Sequence, residues 1–323
     1  MRIFAAIPFA LFLFAGSAFG WGCEGHQMVA LIARAHLTPE AAQAVDNLLR
    51  NNPIDAAVSR YCKDRPADPM ADASTWADDV RATEKNGPWH YIDIPLAFHQ
   101  TATADVMMWC PPIGPAIGTN DRTGCVVNAL QYEWTILRQN ATQAATRAKA
   151  LRYVIHFVGD LHQPLHTTDN NDRGGNCTVI NFFSDVQATN LHSIWDTRII
   201  QRELAEKKMT QEKYAEDLDR RFAKRWEDWG TAKTGIAEWV WEGHRVATEV
   251  TYGDLKPAIS VEDPDQPTDC DEEKARVAAL HIAISGAYFD QSIPATEEQL
   301  VKAGYRLASI LNQTFTPPGA KKN

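Results

Sequence analysis

Apolar residues recur at helical spacing through most of the chain. In the run HQMVALIARAHL, which starts at His26, Met28, Ile32 and Ala35 fall on one stripe of a helix. Such a stripe is typical of a helix that buries one face against its neighbours. Similar patterns elsewhere in the chain predict a mainly helical protein.

A second helix has a clear start signal. Thr38 and Pro39 stand in the order of an N-cap followed by proline in the first helical turn, which predicts a helix through Leu49. Helices are also predicted from near Ser74, from Val126 to Leu137, from Ala144 to Gly159, over residues 191–250, and at about 273–290 and 296–313.

Other segments interrupt the helices. Residues 51–72 carry Pro, Asn and Asp and predict a loop, as does the acidic run VEDPDQPTDCDEE over residues 261–273. The run TVINFF, within residues 170–190, predicts a small hairpin or strand. Because no repeat, linker or change of composition divides the chain, we expect an all-α fold, with a single mainly helical domain, a small β-hairpin and long loops.

The first 20 residues predict an export signal outside the folded domain. Arg2 precedes an apolar stretch from Ile3 to Phe14, and the small residues Ala18 and Gly20 follow. We expect cleavage before Trp21, which would leave residues 21–323 as one domain in the periplasm or outside the cell. An uncleaved membrane anchor is the alternative, but the apolar run is short for a bilayer span.

Composition and charge narrow the functional classes. The 323-residue chain is 45% apolar and 23% charged, as in ordinary globular proteins, and its formal net charge is −9. A protein this acidic has no general attraction for duplex nucleic acid or anionic lipid. If the chain handles phosphates, the positive charge must be local, and bound metal ions are one source of it.

The cysteines and sequons fit an exported protein. Six cysteines allow up to three disulfides, and the Pro/Gly-rich segment between Cys110 and Cys125 makes these two the best candidates for a local bridge. The sequence does not choose among the remaining pairings. Sequons begin at Asn140, Asn176 and Asn312, and their glycosylation is left open.

Histidine and aspartate are spaced as metal ligands in the middle of the chain. His156 and Asp160 are four residues apart, as are His192 and Asp196, so each pair shares one helix face. His166 follows nearby. Imidazole and carboxylate together suit Zn²⁺. One such pair alone is more simply a hydrogen bond or salt bridge, but two pairs beside a third histidine favour a metal site.

The expected mature N-terminus adds a further candidate. Cleavage would give Trp21 a free α-amine five residues before His26. A deprotonated amine can bind a metal through nitrogen, with its own carbonyl oxygen closing a chelate. The alternative is that both residues simply pack in the core.

Six short motifs occur in a fixed order along the chain. They are WGCEGH at 21–26, TWADDVR at 75–81, WHYID at 89–93, HFVGDLHQPLH at 156–166, GGN at 174–176 and LHSIWD at 191–196. Together they closely resemble the zinc-dependent single-strand-specific nucleases with 3′-nucleotidase activity, the S1/P1 type. That family shares a helical fold with bacterial zinc phospholipase C.

The resemblance implies a cofactor of three zinc ions. Two of them would be close together and share the carboxylate of Asp160. The implied ligands are Asp78, His90, His156 and Asp160 for one ion of the pair, the Trp21 amine and carbonyl with His26 and Asp160 for the other, and His166, His192 and Asp196 for the third.

The resemblance also implies how substrate is bound and cut. Arg81 would contact the phosphate, and Tyr91 and Asp93 would bind a base. Catalysis would depend on Asp78, Asp160 and Arg81, with a zinc-bridging hydroxide as the nucleophile. The 3′-oxygen would leave, so the products would carry 5′-phosphates.

These implications define the expected partners and their alternatives. We expect a monomeric enzyme that acts on single-stranded RNA and DNA and on 3′-nucleotides, without a membrane partner. A zinc phospholipase C and a non-catalytic exported zinc-binding protein are the alternatives. We expect His162 to support a ligand rather than to bind metal. The histidines that match no metal motif are His36, His99, His244 and His281.

Overall fold

In the computed structural model, helices make up most of the molecule. The structure describes residues 21–316, apart from 101–104, 186, 231–234, 257, 261 and 263–268. The predicted export signal therefore lies outside the described residues. The α-helices are α1 (Cys23–Ala35), α2 (Pro39–Asn51), α3 (Pro69–Ala73), α4 (Trp76–Glu84), α5 (Val126–Arg138), α6 (Ala144–Asp160), α7 (Leu191–Ser193), α8 (Ile199–Lys207), α9 (Gln211–Phe222), α10 (Trp226–Trp229), α11 (Ile236–Val246), α12 (Cys270–Ala278) and α13 (Gly286–Phe315).

Short strands and single helical turns complete the described structure. A small hairpin joins β1 (Gly114–Pro115) to β2 (Arg122–Thr123). In the other sheet, β3 (Val179–Phe182) pairs antiparallel with β4 (Thr189–Asn190) and parallel with β5 (Ala283–Ile284). The predicted hairpin in residues 170–190 and the mainly helical fold class are thus confirmed.

Local signals explain where the early helices begin. The hydroxyl of Thr38 accepts a hydrogen bond from the Ala41 N–H at 3.2 Å, and Pro39 occupies the first turn, as predicted. Helix α3 begins within the predicted loop over residues 51–72, so that prediction was wrong at its end. The Asp68 carboxylate accepts from the N–H groups of Met70 and Ala71, which starts this short helix.

The predicted break near residue 294 was also wrong. Helix α13 runs for 30 residues with Pro294 inside it, although an interior proline costs a helix about 3 kcal/mol. Tyr288 and Phe289 on one side of the proline are buried in the smaller core, and Leu300 and Leu307 on the other side are buried in the larger core. This burial keeps the helix continuous.

The preceding predicted helix, at 273–290, was wrong at both ends. Helix α12 starts at Cys270 and stops at Ala278. The Asp269 carboxylate accepts from the N–H groups of Asp271 and Glu272 and so starts the helix early. After α12 the chain turns and forms β5, which pairs with β3.

The larger core brings the first and last described helices together. Helix α1 packs closely on α13 at Gly304, where an added Cβ would lie 2.5 Å from Cγ2 of Ile32. Helices α5 and α6 close the same core. The tryptophans at 226–241 contribute to it: Trp239 and Trp241 are buried, and Trp226 and Trp229 pack against it.

All six cysteines form disulfides. Cys110 bonds to Cys125, which confirms the predicted local bridge. The other bonds join Cys23 to Cys62 and Cys177 to Cys270. Among the described residues, no helix combines the length and the apolar character needed to cross a bilayer.

Candidate metal centre

Helix ends and tight turns carry the side chains that the sequence singles out as metal ligands. They lie on α1, α4, α6, the turns Gly87–His90 and Pro164–His166, and the segment 191–198. All are buried, with exposed fractions of 8% or less. These side chains are His26, Asp78, His90, His156, Asp160, His166, His192 and Asp196.

Asp78, His90, His156 and Asp160 form the first group. Nδ1 of His90 lies 3.1 Å from Nε2 of His156 and 3.6 Å from Oδ1 of Asp78. Oδ2 of Asp160 lies 3.1 Å from the same His90 nitrogen and 3.2 Å from Nε2 of His156. Because ligand atoms around one tetrahedral zinc ion stand about 3.3 Å apart, these four side chains fit a single ion.

The carboxylate of Asp160 faces two directions. Its Oδ2 belongs to the first group, whereas its Oδ1 lies 3.4 Å from Nε2 of His26. The His26 ring stacks on the His156 ring, with centroids 4.0 Å apart. Gly159 allows this approach, since an added Cβ would lie 2.7 Å from Nδ1 of His26. One carboxylate can therefore serve two neighbouring cations.

Trp21 lies beside these groups at the start of α1. Its side chain is fully buried, and its Cβ is so close to Gly25 that an added Cβ there would lie 2.7 Å away. The N–H of Gly22 donates to the carbonyl of Asp196 at 2.8 Å. The main chain at Trp21 is thus held between α1 and the segment that carries Asp196.

His166, His192 and Asp196 form a separate group. The Nε2 atoms of the two histidines are 3.2 Å apart, and Nε2 of His192 lies 3.3 Å from Oδ2 of Asp196. His192 belongs to α7 and Asp196 to the π-helical turn that follows, Ile194–Arg198. The predicted i, i+4 relationship therefore persists through a distorted helix, and the three donor atoms converge.

Backbone carbonyls hold three of the histidine rings. Nδ1 of His156 donates to the Ser74 carbonyl at 2.7 Å. Nδ1 of His166 donates to the His90 carbonyl at 2.6 Å, and Nδ1 of His192 donates to the Gly174 carbonyl at 2.6 Å. A proton on Nδ1 leaves the Nε2 lone pair facing the group, as metal binding requires.

The Gly174 carbonyl depends on an unusual backbone. Gly174 has φ +59°, and an added Cβ would lie 2.6 Å from the carbonyl oxygen of Leu165. Glycine is the residue that reaches this conformation without strain. The GGN motif therefore positions His192 through its backbone.

Gln163 is a residue of the site that the sequence analysis missed. It is fully buried, and its side-chain amide donates to Oδ1 of Asp196, while its Oε1 accepts from the Leu165 N–H. The turn that carries His166 is thereby tied to Asp196. Its position between the candidate ligands Asp160 and His166 in one motif was the available signal.

Burial works against charge in the first group and at the neighbouring His26. It raises the pKa of Asp78 to about 7 and lowers the pKa of His26 to about 4 and that of His90 to about 3. Burial also disfavours a charged His156, but Asp160 and Asp78 outweigh it and raise the pKa of His156 to about 9. A proton on His156 thus balances part of the negative charge of Asp160 and Asp78, and a bound metal ion would take its place.

Several buried atoms of the first group and of His26 fit a cation directly. Nε2 of His26, Oδ1 of Asp78 and Oδ1 of Asp160 are buried without a hydrogen-bond partner in the described structure. Leaving such atoms unpaired is costly. Bound metal ions would satisfy all three.

Arg81 brings a positive charge to the same region. It follows Asp78 by three residues on α4, and its Nη1 is buried without a hydrogen-bond partner among the described residues. The guanidinium is close enough to act electrostatically on Asp78, His90 and Asp196. An unpaired guanidinium N–H beside metal-binding groups is suited to a phosphate oxygen.

Comparisons with known proteins decide the family. A family model described as S1/P1 Nuclease matches residues 21–316. The chain belongs to the S1/P1 nuclease family. Nuclease S1 of Aspergillus oryzae is 29% identical over 304 residues, which cover 93% of each chain. Endonuclease 2 of Arabidopsis thaliana is 28% identical over 310 residues (92% of this chain and 91% of that protein). Nuclease P1 of Penicillium citrinum is 26% identical over 305 residues (91% and 97%).

Membership of the S1/P1 family establishes the class of reaction. The protein is a nuclease, a hydrolase that acts on the phosphodiester bonds of nucleic acids. S1/P1 nucleases are metal-dependent. Three sets of side chains in this structure could each hold an ion: Asp78, His90 and His156; His26, His156 and Asp160; and His166, His192 and Asp196. The predicted nuclease is confirmed, and the phospholipase C alternative is not favoured because the relatives are nucleases.

In this S1/P1 nuclease, Tyr91 directly follows His90, and Asp93 comes two residues later. Tyr91 is half-buried, and Asp93 is exposed at a pocket that Asp169 also lines. The protein around the Asp93 carboxyl disfavours its charged form, as do the nearby carboxylates of Asp169 and Asp172, and together they raise its pKa to about 7.

His162 has a different role from the one expected. Its Nδ1 donates to the Val158 carbonyl at 2.7 Å, and its Nε2 accepts from Nη1 of Arg306 at 2.8 Å. None of its described hydrogen bonds reaches a candidate ligand. His162 instead ties the end of α6 to α13. None of the histidines that match no metal motif belongs to the three metal groups, as expected; these are His36, His99, His244 and His281.

Proposed function

We propose that the processed chain is a zinc-dependent endonuclease and 3′-nucleotidase that cleaves single-stranded RNA and DNA and leaves 5′-phosphorylated products. The observation that carries the proposal is the carboxylate of Asp160, whose two oxygens face His26 on one side and His90 and His156 on the other. Such a carboxylate suits a pair of adjacent cations, an arrangement common in enzymes of phosphate-ester hydrolysis.

The donors in each group support zinc as the cofactor. Imidazole and carboxylate ligands in sets of three or four are typical of this ion. Bound there, zinc would supply a hydroxide nucleophile near neutral pH and neutralise charge on the phosphate. The proposed sets are Asp78, His90, His156 and Asp160; His26, Asp160 and the amine and carbonyl of Trp21; and His166, His192 and Asp196.

The ligand role of Trp21 depends on processing. Its nitrogen is part of a peptide bond to Gly20 in the full-length sequence and becomes an amine when residues 1–20 are removed. An amide nitrogen is a much poorer ligand than a free amine. Removal of the export signal would therefore complete the second ligand set.

Side chains around the metal groups would hold the substrate. Arg81 would donate to a non-bridging phosphate oxygen and stabilise the charge that grows there as the 3′-oxygen leaves. The Tyr91 ring would stack on the base 5′ to the cut, and Asp93 would hydrogen-bond its edge. Because that base must leave its own stack, single strands are preferred.

Cellular location and oligomeric state follow from the same residues. The three disulfides require an oxidising compartment, in agreement with export to the periplasm or the medium. Since every proposed ligand comes from one chain, a single chain is sufficient to form the site, which is compatible with the proposed monomer.

The test uses the processed protein beginning at Trp21. We expect mass spectrometry to find three zinc ions per chain. The protein should release phosphate from 3′-AMP and should cleave single-stranded DNA faster than duplex DNA. EDTA should abolish both activities. Arg81→Met should lower kcat by roughly 10²-fold, since it removes one charge-stabilising donor. Bound zinc without hydrolysis of 3′-AMP or single strands would favour a binding protein, and hydrolysis of phosphatidylcholine instead would favour a phospholipase.

A further inference from the structure

Tyr61 is an exposed aromatic residue on a loop that is fastened to the metal-binding helices. Its side chain is 53% exposed. Its N–H donates to Oδ1 of Asp79 at 2.7 Å, directly after the proposed ligand Asp78 on α4. The next residue, Cys62, forms a disulfide with Cys23 on α1. The loop is thus attached to both helices beside the first group.

Two more contacts hold the same loop. Nε of Arg60 lies 2.5 Å from Oδ2 of Asp79. On the other side, the Gln27 side chain donates to the Asp64 carbonyl at 3.1 Å, and Gln27 follows His26 on α1. A ring mounted on a loop this well fixed loses little freedom when it binds a partner.

Tyr61 and Tyr91 are carried by different segments of the chain beside the first group. The main chain of Tyr61 is bonded to Asp79, next to the proposed ligand Asp78 on α4, whereas Tyr91 directly follows the proposed ligand His90. Partial burial and the carboxylates of Asp196 and Asp78 raise the pKa of the Tyr61 phenol, in agreement with a ring close to these carboxylates. The two rings can therefore serve as separate stacking surfaces.

We propose that Tyr61 is a second stacking surface, which receives the nucleobase on the 3′ side of the scissile phosphate while Tyr91 receives the base on the 5′ side. This inference rests on the proposed function. The occupant is a single-stranded nucleic acid, because an exposed ring beside phosphate-binding groups offers what an unpaired base needs. A chain with net charge −9 also lacks a general positive surface that would hold the strand by its backbone alone.

The experiment compares substrates with and without a base on the 3′ side. The measured quantity is kcat/KM for the dinucleotide ApA divided by kcat/KM for 3′-AMP. In Tyr61→Ala this ratio should fall about tenfold, mainly through a higher KM for ApA, and in Tyr61→Phe it should be close to wild type. Tyr132→Ala is the matched control, since Tyr132 is also a half-exposed tyrosine, 49% exposed, and should leave the ratio unchanged.

A dinucleotide with an abasic sugar on the 3′ side separates stacking from a general effect on the fold. In the wild type, removal of that base should lower kcat/KM by about the same factor as Tyr61→Ala. In Tyr61→Ala, removal of the base should cost little more, because the interaction is already lost. Zinc content and melting temperature check that each variant is folded.

The possible failures are distinguishable. If the losses in kcat/KM from Tyr61→Ala and from removal of the 3′ base are fully additive, Tyr61 acts on something other than this base. If the ratio of kcat/KM for ApA to that for 3′-AMP is unchanged in Tyr61→Ala, the stacking surface is rejected and the proposed function is not affected. A change of oligomeric state in Tyr61→Ala with an unchanged ratio would make the exposed ring a protein contact instead. Hydrolysis of neither substrate by the wild type would reject the proposed function and this inference with it.

Discussion

The side-chain amide of Gln163 donates a hydrogen bond to Oδ1 of Asp196, 33 positions further along the chain. The other oxygen of that carboxylate faces Nε2 of His192 at 3.3 Å. The bond therefore determines which oxygen of Asp196 is available to an ion held with His166 and His192.

Replacing Gln163 should weaken that site selectively. In Gln163→Leu the carboxylate loses its fixed orientation, and we expect zinc affinity at the third site to fall roughly 10- to 100-fold, the usual effect of removing such support. Competition with a chelator measures the affinity. Gln139→Leu, at an exposed position, is the control. Unchanged affinity in Gln163→Leu would show that Asp196 does not need this bond.

The two-sided position of Asp160 predicts unequal metal loss between two variants. Asp160→Ala should remove both ions of the close pair, whereas His166→Ala should empty mainly the third site. Zinc per chain, measured by mass spectrometry, should therefore fall to about one in the former and about two in the latter. Equal loss in both variants would contradict the proposed division of ligands.

Processing at Trp21 predicts a metal deficiency in chains that retain an extra residue. A chain made without residues 1–20 but keeping an initiator Met before Trp21 has an amide where the mature protein has an amine. We expect it to hold about one zinc ion fewer than the protein that begins at Trp21, and to be less active. Full zinc content would remove the amine from the ligand list.

The ion pairs of Glu242 predict a pH-dependent part of the stability. Burial disfavours its charged form, but bonds from Arg306 at 2.8 and 2.9 Å and the nearby Lys302 lower its pKa to about 2. A carboxylate whose folded pKa is depressed stabilises the fold above its unfolded pKa, about 4.5, and loses that stabilisation as pH falls towards 2. The shift corresponds to about 3 kcal/mol.

Urea unfolding at pH 6 and pH 3 tests this contribution. Glu242→Gln should be less stable than the wild type by about 3 kcal/mol at pH 6, and the difference should shrink at pH 3. Glu298→Gln removes another carboxylate that pairs with Lys302 but is 44% exposed, so its effect should be small. A difference that stays constant with pH would assign the loss to packing.

The sequence predicts what short spacings determine. The i, i+4 pairs His156/Asp160 and His192/Asp196 converge as expected because helical geometry brings such residues together. Thr38 predicts the start of α2 for the same local reason. The ligand sets that join distant segments, such as His26 with Asp160, came from the family resemblance, because no local spacing encodes a contact across 134 positions (160 − 26).

Features that depend on tertiary packing could not be predicted. Pro294 predicts a break in a helix, yet burial on both sides keeps α13 intact. Gln163 stands between two candidate ligands in one motif, but its bond to Asp196 forms only when the chain is folded. In both cases the deciding partner is remote in the chain and invisible to a local pattern.

The contact between α1 and α13 at Ile32 and Gly304 has a consequence for how the protein is made. Helix α1 leaves the ribosome long before α13 is synthesised, so the part of α1 that packs on α13 stays uncovered until translation is almost complete, although α3, α6 and α9 can already cover other parts of it. We expect a product truncated before Gly286 to expose that part of the larger core and to be prone to aggregation.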